Sequence, residues 1–144
     1  MEDHFRKLER MYLNANINQK LFESTTCSIQ EGKAQIGIVV DDRYHHALGG
    51  LHGSVYFKLM DDAAFFAVQS LIRDQFILTA NFQVQFLRPF STGRLIAYGE
   101  YLLQENKDWK ARAFIMDEDQ KILAKGEGNF RKSGIALTPD IGYK

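Results

Sequence analysis

The segment from Gly53 to about Ile72 constrains the fold more than any other part of the chain. After its first residue it contains no proline and no glycine, and apolar residues fall on nearly every side of the helix that it predicts. A helix with this pattern is enclosed by protein, because almost no side of it favours contact with water. The rest of the chain is therefore expected to wrap around it.

Six other segments have the pattern of β-strands, and they lie at residues 21–30, 33–40, 76–87, 94–104, 109–116 and 121–131. Turn-forming residues separate the last three segments, so these strands are expected to be antiparallel. Within the segment 76–87 the even-numbered residues are apolar, which predicts that Thr79 lies on the opposite, polar face. A curved antiparallel sheet around one helix is an α+β fold.

The two ends of the chain differ in pattern. Apolar residues between Phe5 and Tyr12 recur at intervals of three and four, which predicts a short amphipathic helix within residues 1–18. Residues 133–144 show no periodicity, and we expect a partly ordered tail there. The length is ordinary for one domain, so residues 1–144 are expected to form a single domain.

The composition argues against several classes of partner. The 18 basic and 18 acidic residues balance, so the chain lacks the positive charge that nucleic acids and anionic membranes attract. The sequence has no membrane-spanning apolar run, and its first residues lack the pattern of a signal peptide. Cys27 is the only cysteine, so no internal disulfide can form. We expect a cytoplasmic protein that binds neither nucleic acid nor membrane.

Two adjacent acids interrupt the apolar helix. Lys58, Asp62 and Gln69 form one polar stripe, on which Lys58 and Asp62 can pair, so Asp62 can be a solvated surface acid. Asp61 lies about 100° further round, among apolar residues. An ionised carboxylate there needs a partner or has a raised pKa. Asp61 is thus a candidate catalytic acid or base, and the alternative is a structural acid bonded to a backbone group or an arginine.

Gly53 is a candidate binding group because it begins the helix. The first amides of a helix have no partners within it and carry the positive end of its dipole, and glycine lets a carbonyl oxygen approach them closely. Asp61 lies about 12 Å further along the axis. One helix cannot offer both groups to one reacting bond. If both act on one substrate, the second must come from a symmetry mate.

The run Gly49-Gly50-Leu51-His52-Gly53-Ser54, with Asp61 eight positions after Gly53, resembles the hot-dog-fold acyl-CoA thioesterases of the phenylacetate-degradation (PaaI-like) group. The resemblance extends over roughly residues 20 to 132. It implies an α+β hot-dog fold, in which a curved antiparallel sheet wraps one long helix, and an assembly that is a homodimer or a homotetramer.

The resemblance also implies a mechanism. In similar enzymes the backbone N–H of the glycine that matches Gly53 polarises the thioester carbonyl. The acid that matches Asp61 comes from the other subunit and acts as a general base or a nucleophile. The substrate is then an acyl-CoA, and coenzyme A is part of the substrate rather than a separate cofactor.

Three positions bear on the rate and the substrate. The family has asparagine where this chain has His46, and a second glycine where it has Ser54, which can cap the helix but can also crowd a ligand. Thr79 falls where relatives place a Ser or Thr that contacts the acid. His52 can brace the loop by hydrogen bonds or shuttle protons.

Two alternatives stay open. His46 and Asp61 form a histidine and acid pair similar to that of the hot-dog hydroxyacyl dehydratases, although the Phe-Pro after their histidine is absent. The changed loop is also compatible with an acyl-CoA-binding module without turnover. The histidines lack metal-ligand spacing, so no metal site is expected. Arg88 and Arg131 flank strand ends and are candidates for the coenzyme A phosphates, or ordinary surface charges.

The acyl group cannot be read from the sequence. An aromatic set could line an acyl pocket or simply fill the core, and it consists of Phe57, Phe65, Phe66, Phe82 and Phe86.

Overall fold

The computed structural model describes residues 2–144 and contains three α-helices and six strands among them. The helices are α1 (Glu2–Leu13), α2 (Asn16–Lys20) and α3 (Gly53–Gln69). The strands are β1 (Thr26–Gln30), β2 (Lys33–Val39), β3 (Gln75–Phe86), β4 (Arg94–Glu105), β5 (Asp108–Met116) and β6 (Ile122–Ala136). Short 3-10 turns lie at Asp42–Tyr44 and Pro139–Ile141.

All six strands form one antiparallel sheet in the order β1-β2-β4-β5-β6-β3. The helix α3 packs against one face of this sheet, mainly on β2, β4 and β5. The predicted α+β fold with a central helix is confirmed. The strand β3 is one edge of the sheet, since it pairs only with β6, and this edge lies beside the candidate site.

The centre of α3 lies very close to the sheet. Leu59, Met60, Ala63 and Ala64 are fully buried, as expected for a helix enclosed by protein. A Cβ atom on Gly99 of β4 would lie 2.1 Å from the backbone oxygen of Ala63. Only glycine permits this approach, so Gly99 determines how deeply α3 sits in the sheet.

The N-terminal helix differs from the prediction of one helix within residues 1–18. It divides into α1 and α2 after Leu13, and the amide of Asn18 donates a hydrogen bond to the backbone oxygen of Tyr12 across the break. The first residue of the predicted helix, Met1, lies outside the described residues. The apolar side of α1, which includes Leu8, is buried as predicted.

Residues 133–144 are not the loose tail that the sequence predicted. β6 continues to Ala136 along β3, because Gly134 adopts a positive φ of 85° where the register of the two strands shifts. After it the chain returns to α1, where the Tyr143 hydroxyl lies 2.7 Å from His4 Nδ1. Burial lowers the pKa of His4, so the imidazole is neutral in this contact at neutral pH. Contacts from distant residues give this segment its structure.

A β-bulge in β3 overturns the predicted orientation of Thr79. The pairing with β6 shifts between Thr79 and Asn81, which leaves Ala80 as an extra residue. The alternation of the strand therefore reverses at Ala80. Thr79 points toward α3 on the same face as Phe82, whereas strict alternation predicts opposite faces.

Candidate active site

Asp61 and Thr79 meet across the gap between α3 and β3. The Thr79 hydroxyl donates a 2.8 Å hydrogen bond to Asp61 Oδ1, and no basic side chain among residues 2–144 forms an ion pair with this carboxyl. The pKa of Asp61 is raised to about 6, chiefly because burial disfavours the charged form; the charge of Asp62 adds to the shift, and the Thr79 hydrogen bond and Lys58 reduce it. Asp61 is a half-buried carboxyl able to exchange a proton near neutral pH.

Asp62 has the opposite environment and is not the solvated surface acid that the sequence allowed. It forms a 2.9 Å ion pair with Lys58, and the Tyr12 hydroxyl donates a 2.6 Å hydrogen bond to it. Lys58 also donates to the side-chain oxygen of Asn18, and its ammonium lies 4.6 Å from the ring centre of Phe22. The side chains of Lys58 and Asp62 are only 13% and 23% exposed. This acid joins α3 to the N-terminal helices.

The start of α3 leaves one backbone donor without a partner. His52 Nδ1 caps the helix by accepting a 3.1 Å hydrogen bond from the Ser54 N–H, and it lies 2.7 Å from the Ser54 hydroxyl. The Val55 N–H donates to the His52 oxygen. The Gly53 N–H has no acceptor among the described residues, so it is available to a ligand. The cap is the histidine rather than the serine.

The loop before α3 brings His46 close to this donor. A tight turn joins the His46 oxygen to the Gly49 N–H and the His46 N–H to the Gly50 oxygen. His46 Nδ1 accepts a 3.2 Å hydrogen bond from the Leu48 N–H, so Nε2 carries the ring's remaining hydrogen-bonding capacity. His46 is exposed and lines the same groove as Gly53.

This groove has a volume of about 420 Å³ and is lined by His46, Gly50, Leu51, Gly53, Tyr56, Phe86, Leu87, Arg88, Pro89 and Phe90. The Tyr56 hydroxyl donates to the backbone oxygen of Arg88 and fixes one wall. Sequence reasoning missed Tyr56 and Phe90 as lining residues. The position of Tyr56 three residues after Gly53 was the available signal, because such residues share a helix face.

The groove and the acid lie on one stripe of α3. Gly53, Phe57 and Asp61 follow one another at intervals of four, so they share a helix face. At one end of the stripe a Cβ atom on Gly53 would lie 3.3 Å from Phe86 of β3. At the other end Asp61 bonds Thr79 of the same strand. Helix and strand run antiparallel, with about 12 Å between Gly53 and Asp61.

The sequence model of the Thioesterase superfamily matches residues 48–124 of this chain. The match covers more than half of the 144 residues and includes the end of the loop from Leu48, Gly53, Asp61 and Thr79, whereas His46 lies before it. This chain belongs to the thioesterase superfamily. No curated protein sequence matches it.

Several solved structures are similar in fold to this thioesterase-superfamily protein. The PaaI protein of the Escherichia coli phenylacetic acid degradation operon is 23% identical, with 95% of this chain and 98% of that chain covered, at a TM-score of 0.83. A phenylacetic acid degradation-related protein of Ralstonia eutropha is 17% identical, with coverages of 89% and 98%, at a TM-score of 0.76. The hot-dog fold is confirmed.

The remaining candidate residues of this superfamily member lie in different places. Arg88 is exposed at the rim of the groove, and its guanidinium forms no ion pair with the part of the chain that the structure describes. Arg131 does not line the groove, and its guanidinium donates a 2.6 Å hydrogen bond to Asp108. Only Arg88 lies where it could contact a ligand that also reaches Gly53 within the same protomer.

Within residues 2–144, no group of three His, Cys, Asp or Glu side chains comes together in a way that could hold a metal ion. In the same residues no helix is long and apolar enough to cross a membrane.

Proposed function

We propose that this protein hydrolyses acyl-CoA thioesters to the free acid and coenzyme A. One observation carries the proposal. The Gly53 N–H and the Asp61 carboxyl are both unpaired with charged groups and share one stripe of α3, yet about 12 Å of helix separates them. Superfamily membership supports thioester chemistry for this pair of groups.

A second copy of the chain can bring an Asp61 carboxyl close to the Gly53 N–H of the first copy. The outer edge of β3 has no partner strand, and the surface beside it is apolar. Phe57 and Phe86 are 40% and 56% exposed there. Pairing of β3 with the partner's β3 would extend the sheet, bury these side chains and turn the two α3 helices antiparallel. Gly53 of one subunit then faces Asp61 of the partner subunit, in a homodimer that can assemble further.

The mechanism follows from these two groups. The thioester oxygen accepts a hydrogen bond from the Gly53 N–H, and the ionised Asp61 of the partner subunit takes a proton from water as the water oxygen attacks the carbonyl carbon. The Gly53 amide and the helix dipole stabilise the oxyanion, a contribution of about 3 kcal/mol per donor in comparable sites. The carbon–sulfur bond breaks as the oxyanion collapses, and the proton on Asp61 passes to the coenzyme A thiolate.

The raised pKa of Asp61 suits this role. A carboxyl with a pKa of about 6 is largely ionised at neutral pH and is a stronger base than an ordinary aspartate. Thr79 orients it through the 2.8 Å hydrogen bond. His46 is in a position to orient the water or the thioester, while His52 and Ser54 hold the start of α3 so that the Gly53 N–H faces the groove. Arg88 is the candidate contact for coenzyme A phosphates.

The decisive experiment measures thiol release from short, long and aromatic acyl-CoAs with a thiol-reactive dye. We expect turnover by the wild type and none by Asp61→Asn that folds and assembles normally. Turnover that persists in Asp61→Asn would contradict the proposed role of this residue. Saturable acyl-CoA binding without turnover by the wild type would instead indicate a binding module.

A mixed-dimer experiment tests whether the site crosses the subunits. Gly53→Pro removes the N–H at the first helical position, where proline is tolerated. A dimer of one Asp61→Asn chain and one Gly53→Pro chain regains one intact site if Gly53 and Asp61 act in trans. Activity that reappears on mixing two inactive variants supports the trans site. Mixed dimers that stay inactive contradict it.

The dehydratase alternative depends on one observation, the exposed His46 in the groove that holds the Gly53 N–H. It predicts that His46→Ala is as damaging as Asp61→Asn and that an enoyl product forms from a hydroxyacyl-CoA. The hydrolase proposal predicts a smaller loss in His46→Ala, because the histidine then only orients a reactant. Mass analysis of the products distinguishes the two.

A further inference from the structure

Phe57 occupies a special position in the proposed dimer, because it lies midway between the two candidate catalytic positions. It is four residues after Gly53 and four before Asp61 on the same stripe of α3. If Gly53 faces the partner subunit's Asp61, then by symmetry the partner subunit's Gly53 faces Asp61. A two-fold axis that makes both exchanges passes the midpoint, and the midpoint of the stripe is Phe57.

The contacts of β3 with α3 also place an aromatic residue at this midpoint. It lies against the stripe and carries Phe86 next to Gly53 and Thr79 next to Asp61. Phe82 and Val84 lie between these two on the same face of β3, and the ring of Phe82 lies 5.6 Å from the ring of Phe57 at an angle of 80°. Helix and strand therefore bring their central aromatic residues to the same place.

The exposure of Phe57 fits this position. Tyr56, one residue before it, and Leu59, two residues after it, are buried in the protomer, whereas Phe57 is 40% exposed. A phenylalanine left open to this extent in the middle of an otherwise enclosed helix indicates a contact that one protomer does not supply. Lys58, the next residue, lies about 100° further round the helix, where its ion pair with Asp62 holds it away from Phe57.

We propose that Phe57 and the partner subunit's Phe57 meet at the two-fold axis and form a shared wall that ends the acyl pocket of both active sites. This inference rests on the proposed thioesterase function and its trans site. Phe82 supports the wall from β3. The pocket then has a limited depth, and the preferred substrates are short or single-ring acyl-CoAs rather than long-chain ones.

The depth follows from the helix geometry. A thioester carbonyl held at Gly53 lies about 6 Å along the axis from Phe57. An acyl group that points toward the axis therefore has room for a short chain or one ring before it contacts the wall. Beyond Asp61 the stripe is closed as well, because Phe65 packs against Phe66 and Phe76 with ring centres 4.9 and 5.4 Å apart.

A cross-linking experiment tests the position of Phe57 without requiring activity. In a Cys27→Ser background, which removes the native thiol, Phe57→Cys places one thiol on each subunit. We expect a short bis-maleimide to link the two subunits of this variant. Leu103→Cys is the matched control, since Leu103 is 47% exposed but lies on β4, away from the β3 edge. Efficient linking through Leu103→Cys with none through Phe57→Cys would overturn the proposal, as would a monomeric protein.

A chain-length experiment tests the wall. We compare kcat/KM from acetyl-CoA to palmitoyl-CoA for the wild type, Phe57→Ala and Phe57→Trp. Phe57→Ala should raise the ratio of long-chain to acetyl activity by about tenfold or more, and Phe57→Trp should lower it. Phe76→Ala is the control, because it also removes a phenyl ring but does so next to Phe65, beyond Asp61. It should leave the ratio of long-chain to acetyl activity unchanged.

The outcomes separate this inference from the proposed function. Asp61-dependent hydrolysis with the same chain-length profile in all dimeric Phe57 variants would overturn the wall and leave the thioesterase function intact. No hydrolysis by the wild type of any acyl-CoA would overturn the proposed function, and no binding of any acyl-CoA would overturn the acyl pocket as well. The cross-linking result then still decides whether Phe57 lies at the two-fold axis.

Discussion

Two sides of α3 differ in how their acids are paired, although the two acids, Asp61 and Asp62, are adjacent and only about 100° apart around the helix. We call the side with Asp62 the covered face and the side with Asp61 the open face. On the covered face, Asp62 is satisfied by Lys58 and by Tyr12 of α1, and the N-terminal helices shield the cluster. On the open face, within residues 2–144, Asp61 has only Thr79 as a hydrogen-bond partner and the Gly53 N–H has no acceptor. The paired acid, Asp62, joins α3 to α1, whereas Asp61, which has no ion-pair partner, can still exchange a proton near neutral pH.

The largest expected difference between the two faces is in turnover. Asp61→Asn should lower kcat for acyl-CoA hydrolysis by about 10³-fold or more, since it removes the general base. Asp62→Asn should change kcat by less than about tenfold, because its carboxylate serves Lys58 and Tyr12 and does not face the groove. Steady-state thiol release from both variants gives the answer. Equal losses would mean that the two acids act as one unit.

The second difference concerns the unpaired amide. Gly53→Pro removes the N–H and should lower kcat by about 10²-fold. Gly53→Ala is the matched control, because it adds a Cβ in the same place, 3.3 Å from Phe86, and keeps the N–H. Kinetics of the pair separate the donor from the crowding. Equal losses in the two variants would assign the effect to Phe86 and argue against an oxyanion role.

The pH profile should reveal the free carboxyl directly. Because burial raises the pKa of Asp61 to about 6, kcat/KM should fall as the pH drops below that value and level off above it. The Thr79 hydrogen bond lowers this pKa, so Thr79→Val should move the acid limb to higher pH. Thr25→Val, which loses only a bond to the Phe22 oxygen, serves as the control. An acid limb that Thr79→Val leaves in place would argue that another group controls it.

The covered face should instead determine stability. Lys58→Met keeps the aliphatic length but leaves Asp62 partly buried without its cation, which should lower the free energy of unfolding by about 1 to 3 kcal/mol. Denaturant unfolding measures the change. Lys20→Met, at an exposed position of α2, provides the comparison and should have little effect. An unchanged midpoint for Lys58→Met would show that the cluster contributes no net stability.

On the open face, the ionised Asp61 carboxylate should make the folded state slightly less stable at alkaline pH. The pKa of Asp61 is about 6 in the folded chain against 3.8 for an ordinary aspartate, so the folded state holds this proton more tightly. The resulting stabilisation is full below pH 3.8 and is lost as the pH rises through about 6. Asparagine cannot ionise, so Asp61→Asn should raise the free energy of unfolding at alkaline pH by on the order of 1 kcal/mol. A decrease measured at alkaline pH would contradict this account.

Local pattern was enough for most of the fold. The absence of proline and glycine after Gly53 located α3, and the alternation and turn residues located β3 to β6 to within a few residues, except at the end of β6. Asp61 could be identified as a candidate because an acid among apolar neighbours on a helix needs a partner or has a raised pKa. The tail after residue 132 could not be predicted, because its order comes from contacts with α1 such as that of Tyr143 with His4.

Details of the site depended on distant contacts that no local pattern contains. Alternation placed Thr79 on the wrong face, because a bulge at Ala80 is set by the pairing of β3 with β6. The spacing of Lys58 and Asp62 predicted their pair, but only the packing of α1 shows that Tyr12 closes over it.

The sequence by itself determined that one apolar helix lies at the centre of an antiparallel sheet, and that Gly53 and Asp61 are too far apart for one chain to use together. These conclusions follow from periodicity and helix rise, which are local properties. Only the tertiary structure decided which acid is paired, which amide is free and which way Thr79 points. Those properties depend on what each group meets across the fold, because hydrogen bonds, burial and pKa values are set by neighbours in space rather than in sequence.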